Sequence, residues 1–62
     1  MNRYYKDIEK YLMDRPQKWV KIDNVKIDLL APRRSEAFNR AWEDLVACGR
    51  LELIGNSIRV NQ

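Results

Sequence analysis

The sequence predicts a small α+β fold with three helices, a short strand and a C-terminal two-stranded β-hairpin. Two long segments repeat apolar residues at helical spacing, a short β-branched run lies between them, and two alternating runs flank Gly55 and Asn56. The chain has 62 residues, close to the smallest size at which a chain folds alone. We therefore expect one domain, residues 1–62, with one small core.

The first predicted helix covers residues 3–13. Its apolar and aromatic side chains fall on one helical stripe, formed by Tyr4, Tyr5, Ile8, Tyr11 and Leu12. Asn2 is expected to cap the helix by accepting a backbone N–H. Pro16 is expected to end the helix near Asp14, because a proline ring disfavours a helical conformation at the residue before it.

A brief strand and a short second helix are predicted next. Residues 18–22, KWVKI, alternate in character and include β-branched side chains, which is typical of a strand. Asp23 stands where an N-cap residue would, and we expect the helix after it to end at Pro32. The side chains expected to share its inner face are Val25 and Leu29, with Ile22 and Leu30 as further candidates.

The third predicted helix begins after Ser35, a favourable N-cap residue, and ends at Gly49, a natural residue for the position after the C-cap. Its buried stripe is formed by Phe38, Ala41, Trp42, Leu45 and Val46. Its opposite face carries Glu36, Asn39, Arg40 and Glu43, with Asp44 and Ala47 at the edge. That face is free to contact another molecule.

The C-terminal hairpin is the clearest local pattern. Glycine as the first residue of a two-residue loop, Gly55-Asn56, suits a type II′ turn and fixes the strand register. The predicted pairs are Leu51 with Val60, Glu52 with Arg59, Leu53 with Ile58, and Ile54 with Ser57. This register places Leu51, Leu53, Ile58 and Val60 on one face of the hairpin.

The composition excludes several classes of protein. Cys48 is the only cysteine and there is no histidine, which excludes an internal disulfide and a zinc site. No serine or cysteine stands at a recognisable spacing from a base, there is no glycine-rich phosphate loop, and a substrate pocket would consume so small a core. We expect neither enzyme activity nor a metal or cofactor, and we interpret Cys48 as a buried or half-buried apolar residue.

Targeting signals are missing from the sequence. No apolar run approaches the roughly 18 residues of a membrane span. Residues 1–10, MNRYYKDIEK, lack the apolar stretch of a signal peptide. We therefore expect a cytoplasmic protein without a membrane partner.

Positive charge is concentrated in the middle of the chain. Residues 15–40 contain seven basic and three acidic side chains, a net charge of +4, whereas the five basic and six acidic side chains elsewhere give −1. The seven basic residues are Arg15, Lys18, Lys21, Lys26, Arg33, Arg34 and Arg40. This distribution is typical of a surface that faces phosphates, although solubility alone also accounts for it.

The order of these elements resembles the winged helix-turn-helix family across nearly the whole chain. The resemblance depends on the strand WVKI, on DNVKIDLLAP and RRSEAFNRAWEDLVACGR after it, and on the hairpin LELIGNSIRV as the wing. It implies sequence-specific binding of double-stranded DNA, with the third helix in the major groove and the wing near the backbone or minor groove. The function would be that of a small transcriptional regulator or a replication or recombination accessory of a phage, plasmid or virus.

The resemblance also implies a set of DNA-binding residues. In and before the third helix they are Arg33, Arg34, Ser35, Glu36, Asn39, Arg40 and Glu43, and on the wing they are Asn56, Ser57 and Arg59. Lys18, Lys21 and Lys26 are expected to contact phosphates. Arginine can bind guanine and asparagine can bind adenine through paired hydrogen bonds, so Asn39 and Arg40 are the best candidates for base contacts.

Some residues depart from an ideal DNA-binding surface. Glu43 and Asp44 make the second half of the third helix acidic, so only its first two turns would enter the groove at low cost. The wing tip, GNS, lacks a basic residue, and Arg59 has Glu52 opposite it as an alternative partner. A solvated charged face is the alternative interpretation of the arginines.

Several interpretations of the remaining residues stay open. We expect Trp19, Phe38 and Trp42 in the core. The tyrosines of the first helix, Tyr4, Tyr5 and Tyr11, are candidates for a homodimer interface or for partial burial at the edge of the core. The alternative function is a protein-interaction module that docks through helix 1 and the acidic half of helix 3; a domain of a larger replication protein is a third option.

Overall fold

The computed structural model describes residues 2–61, which form three helices and a three-stranded antiparallel sheet. In chain order the elements are α1 (Tyr4–Met13), β1 (Val20–Lys21), α2 (Ile22–Asp28), α3 (Glu36–Ala47), β2 (Leu51–Ile54) and β3 (Ser57–Val60). The α+β class predicted from the sequence is confirmed. Within residues 2–61, each helix is too short or too polar to span a lipid bilayer.

The sheet has the strand order β1-β3-β2, so β3 pairs with both neighbours. The β2–β3 hairpin has the predicted register, with Leu51 opposite Val60 and Ile54 opposite Ser57. Gly55 has a φ of +60° and Asn56 has no positive φ, as a type II′ turn requires. Turn chemistry and alternation were therefore sufficient to predict this element.

Helix α1 begins and ends where the sequence indicates. Oδ1 of Asn2 accepts the backbone N–H of Tyr4 at 2.9 Å, so Asn2 makes the predicted bond although the N-cap position is Arg3, whose side chain does not cap the helix. The helix ends at Met13, and a turn follows in which the N–H of Lys18 donates to the C=O of Arg15 at 3.2 Å. Pro16 lies inside this turn, a position that suits its fixed φ.

The start of α2 differs from the prediction. The helix begins at Ile22, after the extended residue Lys21, so Asp23 lies within the first turn and is not the N-cap. The N–H of Ile22 donates to the C=O of Asn56 in the hairpin turn at 2.8 Å. A carbonyl group from a distant part of the chain therefore takes the capping role that the sequence assigned to the Asp23 side chain.

The end of α2 also differs, because the helix stops at Asp28 and not at Pro32. The N–H of Leu30 donates to the C=O of Ile27, and the N–H of Ala31 to the C=O of Lys26, both at 3.0 Å. These two bonds form a Schellman motif, with Leu30 in the left-handed region at φ +57°. The side chain of Leu30 is 88% exposed and does not share the inner face with Val25.

Helix α3 has both of its predicted ends. Oγ of Ser35 accepts the N–H of Phe38 at 3.1 Å. At the other end, Gly49 has a φ of +87°, its N–H donates to the C=O of Val46, and the N–H of Arg50 donates to the C=O of Leu45. This is a second Schellman motif, with glycine at the left-handed position.

The core lies between α1, α2, α3 and the inner face of the sheet. Its buried apolar residues are Ile8, Leu12, Val25, Phe38, Ala41, Leu45, Leu51 and Ile58. Trp42 is half-buried and packs against this cluster, whereas Trp19 is 38% exposed and the core prediction for it is wrong. Side chains alternate along a strand, so the pairing of Val20 with buried Ile58 turns Trp19 to the outer face.

Cys48 is exposed, so its predicted burial is wrong as well. It is the C-cap residue of α3, and its Sγ–H donates to the C=O of Leu45 at 3.4 Å. The chain turns away at Gly49 directly after it. Cys48 therefore lies beside a surface groove and not against the sheet.

Candidate nucleic-acid interface

A groove separates the N-terminal half of α3 from the hairpin turn and the start of α2. Its volume is about 400 Å³, and it is lined by Lys21, Ile22, Asp23, Asn39, Trp42, Gly55 and Asn56. Pairing of Lys21 with Ser57 attaches β1 to the hairpin, and the Ile22 N–H bonds the Asn56 carbonyl. These backbone contacts fix the hairpin turn next to the start of α2.

Asn39 reaches this groove from α3, as the prediction of a base contact requires. Its Oδ1 accepts the indole N–H of Trp42 at 3.3 Å, and Trp42 packs against the core. The carboxamide is therefore oriented by a supported ring. Its NH₂ group makes no hydrogen bond within residues 2–61 and is a free donor for a ligand.

Lys26 and Arg33 lie together beyond the start of α2. Nζ of Lys26 donates to the C=O of Arg33, and both residues line a second groove with Asp23. Asp23 also lines the first groove, so the two grooves adjoin. Arg34 is exposed in the turn before Ser35. Four of the predicted residues, Lys21, Asn39, Lys26 and Arg33, therefore border one connected surface.

Arg40 lies apart from this surface. Successive residues of a helix are rotated by about 100°, so Arg40 is on the opposite flank of α3 from Asn39. There it borders a groove of about 690 Å³ between α1 and α3, lined by Asn2, Tyr5, Lys6, Glu9, Arg40, Asp44, Leu45, Cys48 and Arg50. The two predicted base contacts do not share a groove.

The groove between α1 and α3 lies at the surface of the domain. Three polar contacts bridge its walls: Asn2 to the C=O of Ala37, Tyr5 to Asp44, and Arg50 to Glu9. Leu45 is the one core residue that lines it. The groove is therefore a surface feature formed by side chains and takes no volume from the core.

The ion pairs of residues 2–61 leave the basic middle of the chain unneutralised. They join Arg3 to Asp7 at 3.5 Å, Arg50 to Glu9 at 3.2 Å, and Arg59 to Glu52 at 2.9 Å. All three arginines lie outside residues 15–40, the segment with a net charge of +4. Its exposed cations are available to an anionic partner.

The hairpin places fewer residues at the groove than the three predicted to contact DNA. Arg59 pairs with Glu52, the alternative foreseen from the register, and its guanidinium lies 4.5 Å from the ring centre of Trp19. Asn56 lines the first groove, and Ser57 is half-buried in the pairing with β1. Lys18 is exposed just before β1. Of the predicted wing residues, Asn56 is the one placed at the groove.

The tyrosines of α1 are half-buried at the edge of the core, which confirms one of the two interpretations given for them. Tyr4 packs edge-on against Phe38, with ring centres 5.7 Å apart. The hydroxyls of Tyr5 and Tyr11 donate to Asp44 and Asp28. These carboxylate contacts raise the pKa of Tyr5 and the pKa of Tyr11 above the ordinary 10.0. The homodimer stays a prediction.

Sequence reasoning missed three features of this surface. Trp42 orients Asn39, and their separation of one helical turn could have indicated this contact. The stack of Trp19 on Arg59 could have been found by continuing the strand alternation through Val20. The exposure of Leu30 had no signal, because it depends on where α2 ends, whereas Ile27 lies about 200° around α2 from buried Val25.

Comparisons with protein-family models, with curated proteins and with solved structures found no match to this chain. The function is therefore inferred from the geometry and charge of the surface described above.

Proposed function

We propose that this chain is a winged-helix domain that binds double-stranded DNA in a sequence-specific manner, as a small transcriptional regulator or a replication or recombination accessory. The observation that carries the proposal is the groove between α3 and the hairpin turn, where a free amide donor on Asn39 adjoins Lys21. The unpaired basic side chains of residues 15–40 support it, because phosphate contacts supply much of the affinity for DNA.

In this proposal the N-terminal half of α3 enters the major groove. The major groove is about 12 Å wide and admits one α-helix. Asn39 would contact a base edge, while Lys21, Lys26, Arg33 and Arg34 would hold the backbone phosphates on the side of the hairpin. Asparagine recognises adenine best through paired hydrogen bonds, one accepted by Oδ1 and one donated by the NH₂ group. The hydrogen bond from the Trp42 indole to Oδ1 would therefore break when the base binds.

Arg40 would contact the DNA on the other wall of the major groove. It lies about 100° around α3 from Asn39, and the outer face of the helix between them carries Glu36 and Glu43. Glu43 lies in the second half of α3, where its carboxylate would repel phosphates, so the helix would enter the groove by its first two turns only. A base contact is therefore assigned to Asn39, and a phosphate contact to Arg40.

The alternative, a protein-interaction module that uses α1 and the acidic half of α3, has less support. Asp44 and Tyr5 hydrogen-bond each other, and Tyr4 packs against Phe38. A partner docking there would compete with these contacts inside the domain. Glu43 is exposed and makes no ion pair within residues 2–61, so it is the acidic group left for such a partner.

The test begins with selection of binding duplexes from a random pool, followed by titration at several salt concentrations. The triple variant Arg33→Ala, Arg34→Ala, Arg40→Ala should bind more weakly and with a shallower salt dependence, by about 0.9 in log–log slope for each phosphate group that it no longer neutralises. Asn39→Ala should relax the preference at one base pair, worth about 1–3 kcal/mol.

Arg3→Ala is the matched control, because it removes an exposed arginine that pairs with Asp7 away from the groove. Its salt dependence should equal that of the unmodified chain. Failure of the chain to bind any duplex at low salt would overturn DNA binding and favour a protein partner. Duplex binding that is unchanged in the triple variant would overturn the site. Sedimentation equilibrium tests the predicted homodimer, since a mass of one chain would contradict it.

A further inference from the structure

Two aliphatic side chains at the end of α2 are exposed to solvent. Ile27, in the last turn of α2, is 67% exposed, and Leu30, directly after the C-cap residue Leu29, is 88% exposed. The two residues are three positions apart where the helix ends. Single exposed aliphatics are common on protein surfaces, but a pair at the end of one short helix forms a patch.

The backbone of Leu30 makes this patch unusual. Its φ of +57° is in the left-handed region, which L-residues with a Cβ atom rarely adopt. The equivalent position of α3 is Gly49, which adopts this conformation without a steric cost. Leucine has no polar group to hydrogen-bond locally, and its side chain is not buried in this chain. Folding therefore gives no reason for a leucine at position 30.

A groove adjoins the patch and carries charge. Its volume is about 530 Å³, and it is lined by Asp23, Lys26, Ile27, Ala31 and Arg33. Lys26, Arg33 and the neighbouring Arg34 form no ion pair within residues 2–61. The surface thus combines aliphatic side chains with three unpaired cations and one carboxylate.

We propose that this surface binds an acidic peptide segment of a partner protein. One apolar side chain of the segment enters the groove beside Ile27 and packs against Leu30, and flanking carboxylates pair with Lys26 and Arg33. Charge complementarity selects an anionic partner, and the groove selects one that carries an apolar side chain. DNA has no apolar side chain to place in the groove, so the peptide would compete with the proposed phosphate contacts for Lys26 and Arg33 without needing DNA to be present. A flat bilayer would leave the groove empty.

The experiment uses the whole ¹⁵N-labelled chain and short synthetic peptides. Each peptide holds one leucine, isoleucine or phenylalanine among aspartate and glutamate residues, and matched peptides carry alanine at that position or lysine for the acids. We expect amide shifts confined to residues 26–33 with the acidic apolar peptides. Binding should weaken about tenfold in Ile27→Ser with Leu30→Gly, the scale of a central interface residue.

Ile54→Ser is the matched control, because Ile54 is also 67% exposed but lies at the hairpin. Ile54→Ser should leave peptide binding unchanged, because Ile54 lies outside the proposed binding surface. Circular dichroism of each variant would show that its fold is kept. No binding by any acidic apolar peptide would overturn the proposal, as would equal binding by the alanine peptides.

Two further outcomes would assign the surface to a different partner. If the double variant lost duplex DNA binding to the same degree as Arg33→Ala, the aliphatic patch would belong to the DNA interface. If the unmodified chain bound phosphatidylglycerol vesicles and the double variant did not, the partner would be a lipid surface. Either result would overturn the peptide proposal, and neither depends on whether the proposed DNA contact at Asn39 is correct.

Discussion

Helices α2 and α3 end in the same hydrogen-bonded motif but with different residues at its critical position. In each, the residue after the C-cap is left-handed, and two backbone N–H groups return to carbonyls of the last turn. That residue is Gly49 in α3 and Leu30 in α2. The comparison shows that backbone hydrogen bonding and the path of the chain determine the motif, whereas the side chain determines what it costs.

The starts of the two helices also differ in how much depends on the local sequence. Ser35 caps α3 with its own side chain. Helix α2 has no side-chain cap within residues 2–61, and the N–H of its first residue, Ile22, donates to the carbonyl of Asn56 in the hairpin. Helix α3 has 12 residues and α2 has 7, of which Val25 alone is buried. Helix α3 is therefore specified largely by its local sequence, and α2 largely by the elements around it.

Gly49→Ala should have the largest effect among changes at the helix ends. An alanine Cβ at Gly49 would meet nothing within 4 Å, so the cost comes from its φ of +87° alone. We expect a loss of about 1–2 kcal/mol in the free energy of unfolding, measured by urea titration. In a domain of this size each kcal/mol lowers the Tm by about 4–8 °C. An unchanged Tm would show that α3 can end without a left-handed residue.

Ser35→Ala should have the next largest effect. It removes the acceptor for the N–H of Phe38 and should cost about 1 kcal/mol. Asp23→Ala is the paired control in α2, where the side chain does not cap the helix and the expected change is within about 0.5 kcal/mol. Equal losses in the two variants would contradict the contrast between a locally specified α3 and a contextually specified α2.

Leu30→Gly should stabilise the chain, the opposite sign from Gly49→Ala. It relieves the left-handed strain and removes a side chain that is 88% exposed, but it also gives the unfolded chain more freedom. The expected net gain is about 0.5–1 kcal/mol, measured by the same urea titration. A loss of stability would mean that Leu30 contributes to folding and would weaken the inference that it serves a partner.

The elements that could be predicted are those whose signals are local. The Asn2, Ser35 and Gly49 positions follow from capping chemistry, and the hairpin register follows from its two-residue turn. The ends of α2 could not be predicted, because Asn56 is brought to Ile22 by strand pairing and no residue near Leu30 marks a left-handed position. The start of α2 depends on a tertiary contact, and its end on a left-handed residue that the local sequence does not mark.

The candidate site divides in the same way. The identity of Asn39 as an outward residue of α3 followed from helical periodicity, and the unpaired charge of residues 15–40 followed from composition. The separation of the basic residues onto two flanks of α3 could not be predicted, because it depends on where α1 packs beside Arg40. The engagement of Arg59 by Glu52 was foreseen as an alternative, since cross-strand pairs are fixed by the register.

The smallest expected effect concerns the contacts that join α1 to each helix, Tyr5 to Asp44 in α3 and Tyr11 to Asp28 in α2. Each hydrogen bond raises the pKa of its phenol above 10.0, so its contribution is complete below that pH and disappears as the pH rises through the raised pKa. Stability measured by urea titration from about pH 8 to about pH 11 should therefore fall at the alkaline end. Lysines also titrate there, so the informative quantity is the difference from the Tyr5→Phe and Tyr11→Phe variants, whose stability should fall less steeply with pH.

Parallel curves of stability against pH for the three proteins would show that neither phenol is hydrogen-bonded to its carboxylate in solution. A change in Tyr11→Phe alone would mean that α2, despite its weaker local signals, is the helix held more firmly to α1.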